Sequence, residues 1–369
     1  MKRITGIMLC LIGLLAAGSA QAWTGKADTP SAAQLLVRVA PDATYTTTMP
    51  LPKAIGQGME AARQQAMATV PVSDIAVQYA GKAYLVDELC QLYDTAAGIR
   101  LILPAVARLK LQSSVRELRK RHYGELADWS RVKDKLPRGA TFSVVDLITG
   151  QEFRVQRRAG SSHADVQPLT RQDTATMKAI YNGQWSWKRR AILVRTGSAS
   201  YAASMHGMPH GGDGIPDNDF NGHFCIHFLG SLTHKTGQQD PDHEVMIHKA
   251  GGQLISYVRD QPLPQLAELF LIALGQQDTE LLAVLFNDRE QAAACAGSPE
   301  IAELTGIRIA GAATVPGNDG QPLTGSAVVR ATAYRGSEPT QLVFGLQFTR
   351  SAPGMPWILQ AAGPQGRER

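Results

Sequence analysis

The sequence predicts an α+β protein whose helices and strands are segregated along the chain. Residues 138–260 carry period-two strands converging on a glycine-rich loop. Residues 262–369 run as an apolar helical pair followed by a four-strand meander, and 23–137 read as mainly helical with one hairpin.

The first 22 residues place Lys2 and Arg3 before an apolar run from Ile4 to Ala17 and close on Ala20-Gln21-Ala22, the pattern of a secretory signal peptide cleaved after Ala22. The run is short for a bilayer span, so an exported protein of the periplasm or cell envelope, without a transmembrane anchor after cleavage, is expected. Lys and Arg number 37 against 32 Asp and Glu, a formal charge of +5, and the bases are scattered. Such a mild excess excludes nucleic acid as the expected partner and suits an anionic envelope. Losing Cys10 with the leader leaves Cys90, Cys225 and Cys295, an odd set. Either Cys90 and Cys295 bridge with Cys225 free, or all three are unpaired.

Trp23 to Leu51, rich in Thr, Ala, Asp and Pro, reads as a mobile leader. An amphipathic helix from Ile55 to Thr69 follows, then a hairpin of Ile75–Tyr79 and Ala83–Val86 about Ala80-Gly81-Lys82, then helical pattern to Leu111. Ser113 or Ser114 is placed to cap a charged helix from Val115 to Trp129, with Arg116, Arg119, Lys120 and Arg121 on a solvated face. Pro137-Arg138-Gly139 ends the region. Alternation then gives a hairpin, Thr141–Leu147 and Glu152–Arg158, turning at Thr149-Gly150. A helix from Gln172 to Tyr181, strands Arg190–Thr196, Ser200–Met205 and Ile226–Leu229, and a helix from His243 to Ala250 complete the unit.

Gln265 to Phe286 is a helical pair, and strands follow at Ile307–Val315, Ser326–Tyr334, Thr340–Thr349 and Trp357–Ala361. This order resembles the nuclear transport factor 2 cone fold. That resemblance implies a separate C-terminal domain in which a curved sheet wraps a helix and encloses a pocket for a small ligand.

Ser204 to Phe228 holds four of the nine histidines and one of the four cysteines. Gly207, Gly211, Gly212, Gly214, Gly222, Pro209 and Pro216 break regular structure, so a loop presents His206, His210, His223, Cys225 and His227. A thiol attacks only as thiolate and needs an imidazole to take its proton. Extended phase puts His223, Cys225 and His227 on one face, and the strand ending at Met205 delivers His206 to it.

His206, followed after residues 207–221 by Gly222-His223-Phe224-Cys225, is similar to the signature of L,D-transpeptidases, in which a histidine precedes a Ser/Thr-His-Gly-Cys box. The resemblance covers about Ala140 to Ala250 and implies a β-rich sandwich with Cys225 as nucleophile, His206 as general base and His223 shaping the pocket. It also implies backbone N–H groups of Phe224 and Cys225 as oxyanion hole, and peptidoglycan stem peptides as substrate. The activity implied is cross-linking or carboxypeptidase hydrolysis through a thioester, with no cofactor. Gly222 stands where Ser or Thr is usual, Phe224 where Gly is, and His227 where Asn or Arg is common. Arg157, Arg158 and His163, with His210 and His227, are the candidate substrate contacts.

Two other readings use the same residues. A zinc-dependent cell-wall peptidase would draw ligands from His206, His210, His223 and His227, although Gly207 and Pro209 break the helix that aligns a four-residue histidine pair. Ser161-Ser162-His163-Ala164-Asp165 resembles the start of the zinc D-Ala-D-Ala peptidase motif without its remainder. Asp217 to Gly222 matches half a calcium loop, with Phe228 where the twelfth-position Glu belongs. The other reading is a decayed cell-wall binding module; fast alkylation of Cys225 distinguishes the enzyme from it.

Overall fold

The computed structural model describes residues 33–367 except 213, 235, 312, 316–322 and 337. The expected signal peptide and Cys10 lie outside the described residues, as does the expected leader up to residue 32.

The first unit comprises β1 (Gln34–Val37), β2 (Thr47–Pro50), α1 (Lys53–Glu60), β3 (Arg63–Ala66), β4 (Ile75–Tyr79), β5 (Lys82–Val86), β6 (Leu92–Asp94), β7 (Ile99–Ile102) and α2 (Ala105–His122). Its strands form an antiparallel sheet in the order β2-β1-β4-β5-β6-β7-β3, so this region is not mainly helical. The β4–β5 hairpin falls where the sequence puts it, but the other strands are only three to four residues long, too short to display a period of two. Residues expected to be mobile supply β1, whose Leu35 and Val37 are fully buried. The helix expected to reach Thr69 stops at Glu60, and Arg63–Ala66 pairs with β7 instead. Gly58 marks the tight crossing of α1 and α2: a Cβ there would sit 2.4 Å from that of Ala107.

No cap interrupts α2 at Ser113 or Ser114. Ala107, Leu111, Ser114, Leu118 and His122 form one buried stripe at helical spacing, which a break would split. The helix therefore ends at His122, and Trp129 begins another. Arg116, Lys120 and Arg121 are exposed as expected, whereas Arg119 pairs with Asp74 at 2.7 Å. His122 is fully buried, its Nδ1 2.8 Å from Thr47 Oγ1, and burial pushes its imidazole down to about 4. An unfolded histidine titrates near 6.5, so below that pH the unfolded chain holds a proton that the folded one lacks. Stability should fall as pH drops from about 6.5 to 4, by up to about 3 kcal/mol from this residue. His122→Phe is expected to lower the thermal midpoint at pH 7 yet flatten its decline across that window; an unchanged slope would refute the assignment.

The central unit comprises α3 (Trp129–Lys135), β8 (Thr141–Asp146), β9 (Glu152–Ala159), β10 (Ala164–Pro168), α4 (Arg171–Ile180), β11 (Arg189–Thr196), β12 (Ala199–His206), β13 (Phe224–His227) and α5 (Pro241–Ala250). Its strands close into a barrel in the order β10-β13-β12-β11-β8-β9, in place of the expected sandwich of two layers. Four-residue β13 closes it by pairing with β10 on one side and β12 on the other. Phe142, Val144, Val155, Val166, Ile192, Met205, Phe224 and Ile226 belong to the barrel's own core. The alternate residues face outward, and Val145, Leu147, Ala191, Leu193 and Ala202 join a second core.

That second core is shared with the first unit and with the C-terminal one. The latter comprises α6 (Leu254–Arg259), α7 (Leu263–Gln276), α8 (Thr279–Phe286), α9 (Arg289–Ala296), α10 (Pro299–Ala302), β14 (Gly306–Ile309), β15 (Thr324–Arg335), β16 (Glu338–Thr349) and β17 (Ile358–Arg367), with sheet order β14-β15-β16-β17. Helix pair and meander agree with the sequence, but the unit is packed on a common interior rather than standing separately. Phe270 of α7 meets Phe344 of β16 edge-on at 5.7 Å, so aromatic rings occupy part of the face where a ligand pocket was expected. The Asp278 carboxylate holds Lys249 of α5 at 2.8 and 2.7 Å and caps α8 through the N–H groups of Glu280 and Leu281. Cys90, Cys225 and Cys295 are all free, so no Cys90–Cys295 bridge forms. Among the described residues no helix is long and apolar enough to cross a membrane.

Candidate functional site

The site lies on the outer surface of the barrel, where outward-facing positions of neighbouring strands line up in rows. Asp165 lies opposite Cys225 across the β10–β13 ladder, and Ala159 opposite Asp165 across β9–β10. On the other side the register setting Ser204 against His227 and Met205 against Ile226 runs on to bring His206 beside Cys225, with Arg189 paired to His206. Asp165, Cys225 and His206 thus share one cross-strand row. In the row below, His163 stacks on His227 at 4.4 Å, His227 on His243 of α5 at 3.9 Å, and His243 Nδ1 lies 2.8 Å from Ser204 Oγ. His223, Cys225 and His227 do share a face, as the alternation predicts.

The loop after β12 folds back on the entry to β13. His210 and His223 exchange backbone hydrogen bonds of 2.9 and 2.8 Å. Gly222 has φ +92°, and a Cβ there would fall 2.3 Å from the His210 carbonyl oxygen, which explains glycine where the transpeptidase box carries Ser or Thr. Phe224 is ordinary strand with its ring inside the barrel core. Consecutive N–H groups of a strand point to opposite edges, so those of Phe224 and Cys225 do not converge on one oxyanion. The expected oxyanion hole is not formed by this pair.

Cys225 has two hydrogen-bond partners: its thiol reaches Asp165 Oδ1 at 3.8 Å, and His210 faces the same sulfur. Cys225 Sγ lies 3.4 Å from His210 Nε2, and His210 Nδ1 lies 3.1 Å from the Met208 carbonyl. A carbonyl only accepts, so Nδ1 carries the proton and Nε2 offers its lone pair to the thiol. His206, expected as base, instead accepts the Met208 N–H on its Nδ1 at 3.3 Å. It is 3 % exposed, and burial, aided by Arg189, holds its imidazole well below the ordinary range. His206 therefore braces the Met208 turn that carries His210, although one of its ring nitrogens lies within 4.8 Å of a ligand atom of Cys225 and of His210. Trp187, 51 % exposed, covers both imidazoles at 4.7 and 5.5 Å.

Cys225 is buried, and desolvation, then the Asp165 charge, push its thiol well up. Burial alone would raise the Asp165 carboxyl, yet His163 and His234 beside it hold it well below the ordinary carboxylate range. Asp165 Oδ1 is 3.1 Å from His163 Nε2, 3.0 Å from His234 Nε2, 3.9 Å from His223 Nε2 and 3.8 Å from Cys225 Sγ. Asp165 and His234 were not singled out by the sequence reading, nor was Trp187. The available signal for Asp165 was His163-x-Asp165, which repeats the alternating phase of the cysteine strand.

A cleft of about 440 Å³ opens beside this cluster, with Arg158, Asp165, Gln167, Gly212 and His223 on its walls. His223 lines this cleft. Arg157 touches the same cleft but its guanidinium is spent on the carbonyls of Ala159, Lys133, Leu136 and Gly160 and stacks on Trp129 at 4.7 Å. It holds the β9–α3 junction rather than a substrate. Arg157→Ala should cost about 2–3 kcal/mol in urea unfolding, because several buried carbonyls lose their donor; a loss of affinity without a loss of stability would contradict this. His163 and His227 are also buried within the stack, which leaves Arg158 and His223 as the cleft-facing candidates. His227, pushed down to about 2 by burial, stays neutral.

The zinc quartet His206, His210, His223 and His227 is not brought together. Among the described residues the convergent sets are His163, Asp165, Cys225 and His234, and His206, His210 and Cys225. In the half calcium loop, Arg171 lies 3.7 Å from Asp217 and 3.4 Å from Asp219, and Asn218 turns inward to the Pro168 carbonyl. An arginine stands where a cation would. No protein-family model matches the chain, and no curated protein is found to be similar to it.

Proposed function

We propose that this chain is an exported cysteine-dependent acyltransferase or peptidase acting on peptidoglycan stem peptides, with Cys225 as nucleophile and His210 as its base. The observation that carries the proposal is the ordered relay of Cys225 thiol, His210 Nε2 and Met208 carbonyl on His210 Nδ1. The proton passes from Sγ to Nε2, and the thiolate adds to a peptide carbonyl carbon. The C–N bond breaks as the imidazolium returns the proton to the leaving amine. An amine or water, deprotonated by the same nitrogen, then takes the acyl group from sulfur. Burial holds the free thiol protonated, so the thiolate forms only as substrate enters and the proton moves. The peptidoglycan substrate follows from the L,D-transpeptidase-like order of His206, His223 and Cys225, and export from the N-terminal apolar run. Arg158 on the cleft wall suits a peptide carboxylate.

Incubating the protein with muropeptides and reading intact mass is the test. An adduct of acyl mass on wild type and shortened or joined muropeptides are expected, both absent in Cys225→Ala. Products from Cys225→Ala, or none from wild type, would sink the reading. Arg158→Ala should raise KM several-fold at nearly unchanged kcat.

A further inference from the structure

The geometry points to a divalent metal site of zinc type, built by His163 Nε2, Asp165 Oδ1, Cys225 Sγ and His234 Nε2 on the outer face of the barrel. These ligand atoms all lie within 4.8 Å of one another. They come from three separate places in the chain: the start of β10, the middle of β13 and the segment after it.

His163 is oriented by its other nitrogen. Nδ1 is 2.7 Å from the Leu232 carbonyl, so it bears a proton and Nε2 is the ring atom turned toward the cluster. The residue is 1 % exposed, and among the described residues that Nε2 makes no aligned hydrogen bond even though Asp165 Oδ1 is 3.1 Å away. A buried ring nitrogen this close to a carboxylate oxygen, with no hydrogen bond directed between them, is the arrangement that a shared cation satisfies. His234 brings a second Nε2 to the same oxygen at 3.0 Å, and Cys225 brings sulfur to 3.8 Å.

Two imidazoles, one carboxylate and one thiolate form a mixed N, O and S set of the kind that takes zinc in tetrahedral geometry. The outer contacts are those of a metal-ligating histidine: the Nδ1–H of His163 is held by a backbone carbonyl, and its ring is stacked on His227. Leu232, which supplies that carbonyl, is itself tied to this region by its N–H on the Ser162 carbonyl at 3.0 Å. Binding releases the Cys225 thiol proton to solvent and forms the metal–sulfur bond. The same sulfur then faces the metal rather than His210, so occupancy masks the thiol. This site does not depend on Cys225 acting as a nucleophile, and it differs from the histidine quartet suggested by the sequence.

The full exported chain, stripped with chelator and titrated with Co²⁺, tests it. One equivalent should bind with the visible bands of a tetrahedral ion and a sulfur-to-cobalt charge-transfer band. Cys225→Ser should abolish that band. His234→Ala, at a side chain 54 % exposed and so no threat to folding, should weaken affinity at least about tenfold, and His163→Ala at least as much. Zn²⁺ should slow iodoacetamide labelling of Cys225, with the slowing reversed by chelator. No stoichiometric uptake, or uptake that His234→Ala and His163→Ala leave unchanged, would overturn the site. Uptake lost instead in His206→Ala would move the ion to the neighbouring set and overturn this assignment. None of these results bears on the muropeptide assay of the metal-free protein, whose outcome tests the enzyme reading separately.

Discussion

His210→Ala is expected to slow acylation of Cys225 by about 10²–10⁴-fold, the usual contribution of a positioned general base. The thiol faces His210 at 3.4 Å, and among the described residues no other imidazole makes a hydrogen bond to it. His206→Ala is expected to cost only about tenfold, because that ring acts through the Met208 amide, which fixes the turn carrying His210. Following adduct formation by mass should show the larger loss of rate in His210→Ala and the smaller in His206→Ala. The reverse ranking would restore His206 as the base. Trp187 over both rings makes the contrast measurable by fluorescence as well, since each variant removes one of its two contacts.

Asp278→Ala should destabilise the protein by about 4 kcal/mol, the largest single loss expected away from the site. The change strands the Lys249 ammonium, 5 % exposed, whose two hydrogen bonds of 2.8 and 2.7 Å both go to that carboxylate. Removing one partner of a buried pair costs about 3–5 kcal/mol, and the lost cap on α8 adds about 1 kcal/mol. The double variant Asp278→Ala with Lys249→Met should recover most of the first part, since no charge is then left buried. Urea unfolding at pH 7 measures all three. A loss below about 1 kcal/mol in Asp278→Ala would mean that Lys249 finds water or another partner.

The site was legible wherever local order sufficed. Alternation placed His223, Cys225 and His227 on one face, and the strand before the loop was located to within a residue, ending at His206. Which imidazole meets the thiol was not legible. Gly207 and Pro209 rule out a helix, and nothing local says that the loop turns back to pair His210 with His223. Asp165 and His234 were missed for the same reason: one is brought in by β10 pairing with β13, the other by a segment that leaves the barrel and returns. In the first unit, strands of three to four residues carried too little periodicity to outweigh helical composition.

The β8–β9 hairpin, strands β11 and β12, the α7–α8 pair with the meander beyond it, the shared face of the cysteine strand and the glycine-rich break before it were determined by the sequence alone, because each depends on neighbours a few residues apart; β10, α6, α9 and α10 were not. Barrel closure, the shared core and the contact of Cys225 with His210 rather than His206 were decided only by the tertiary structure. Those depend on strand register and on which buried groups find partners, and both are properties of contacts between distant segments.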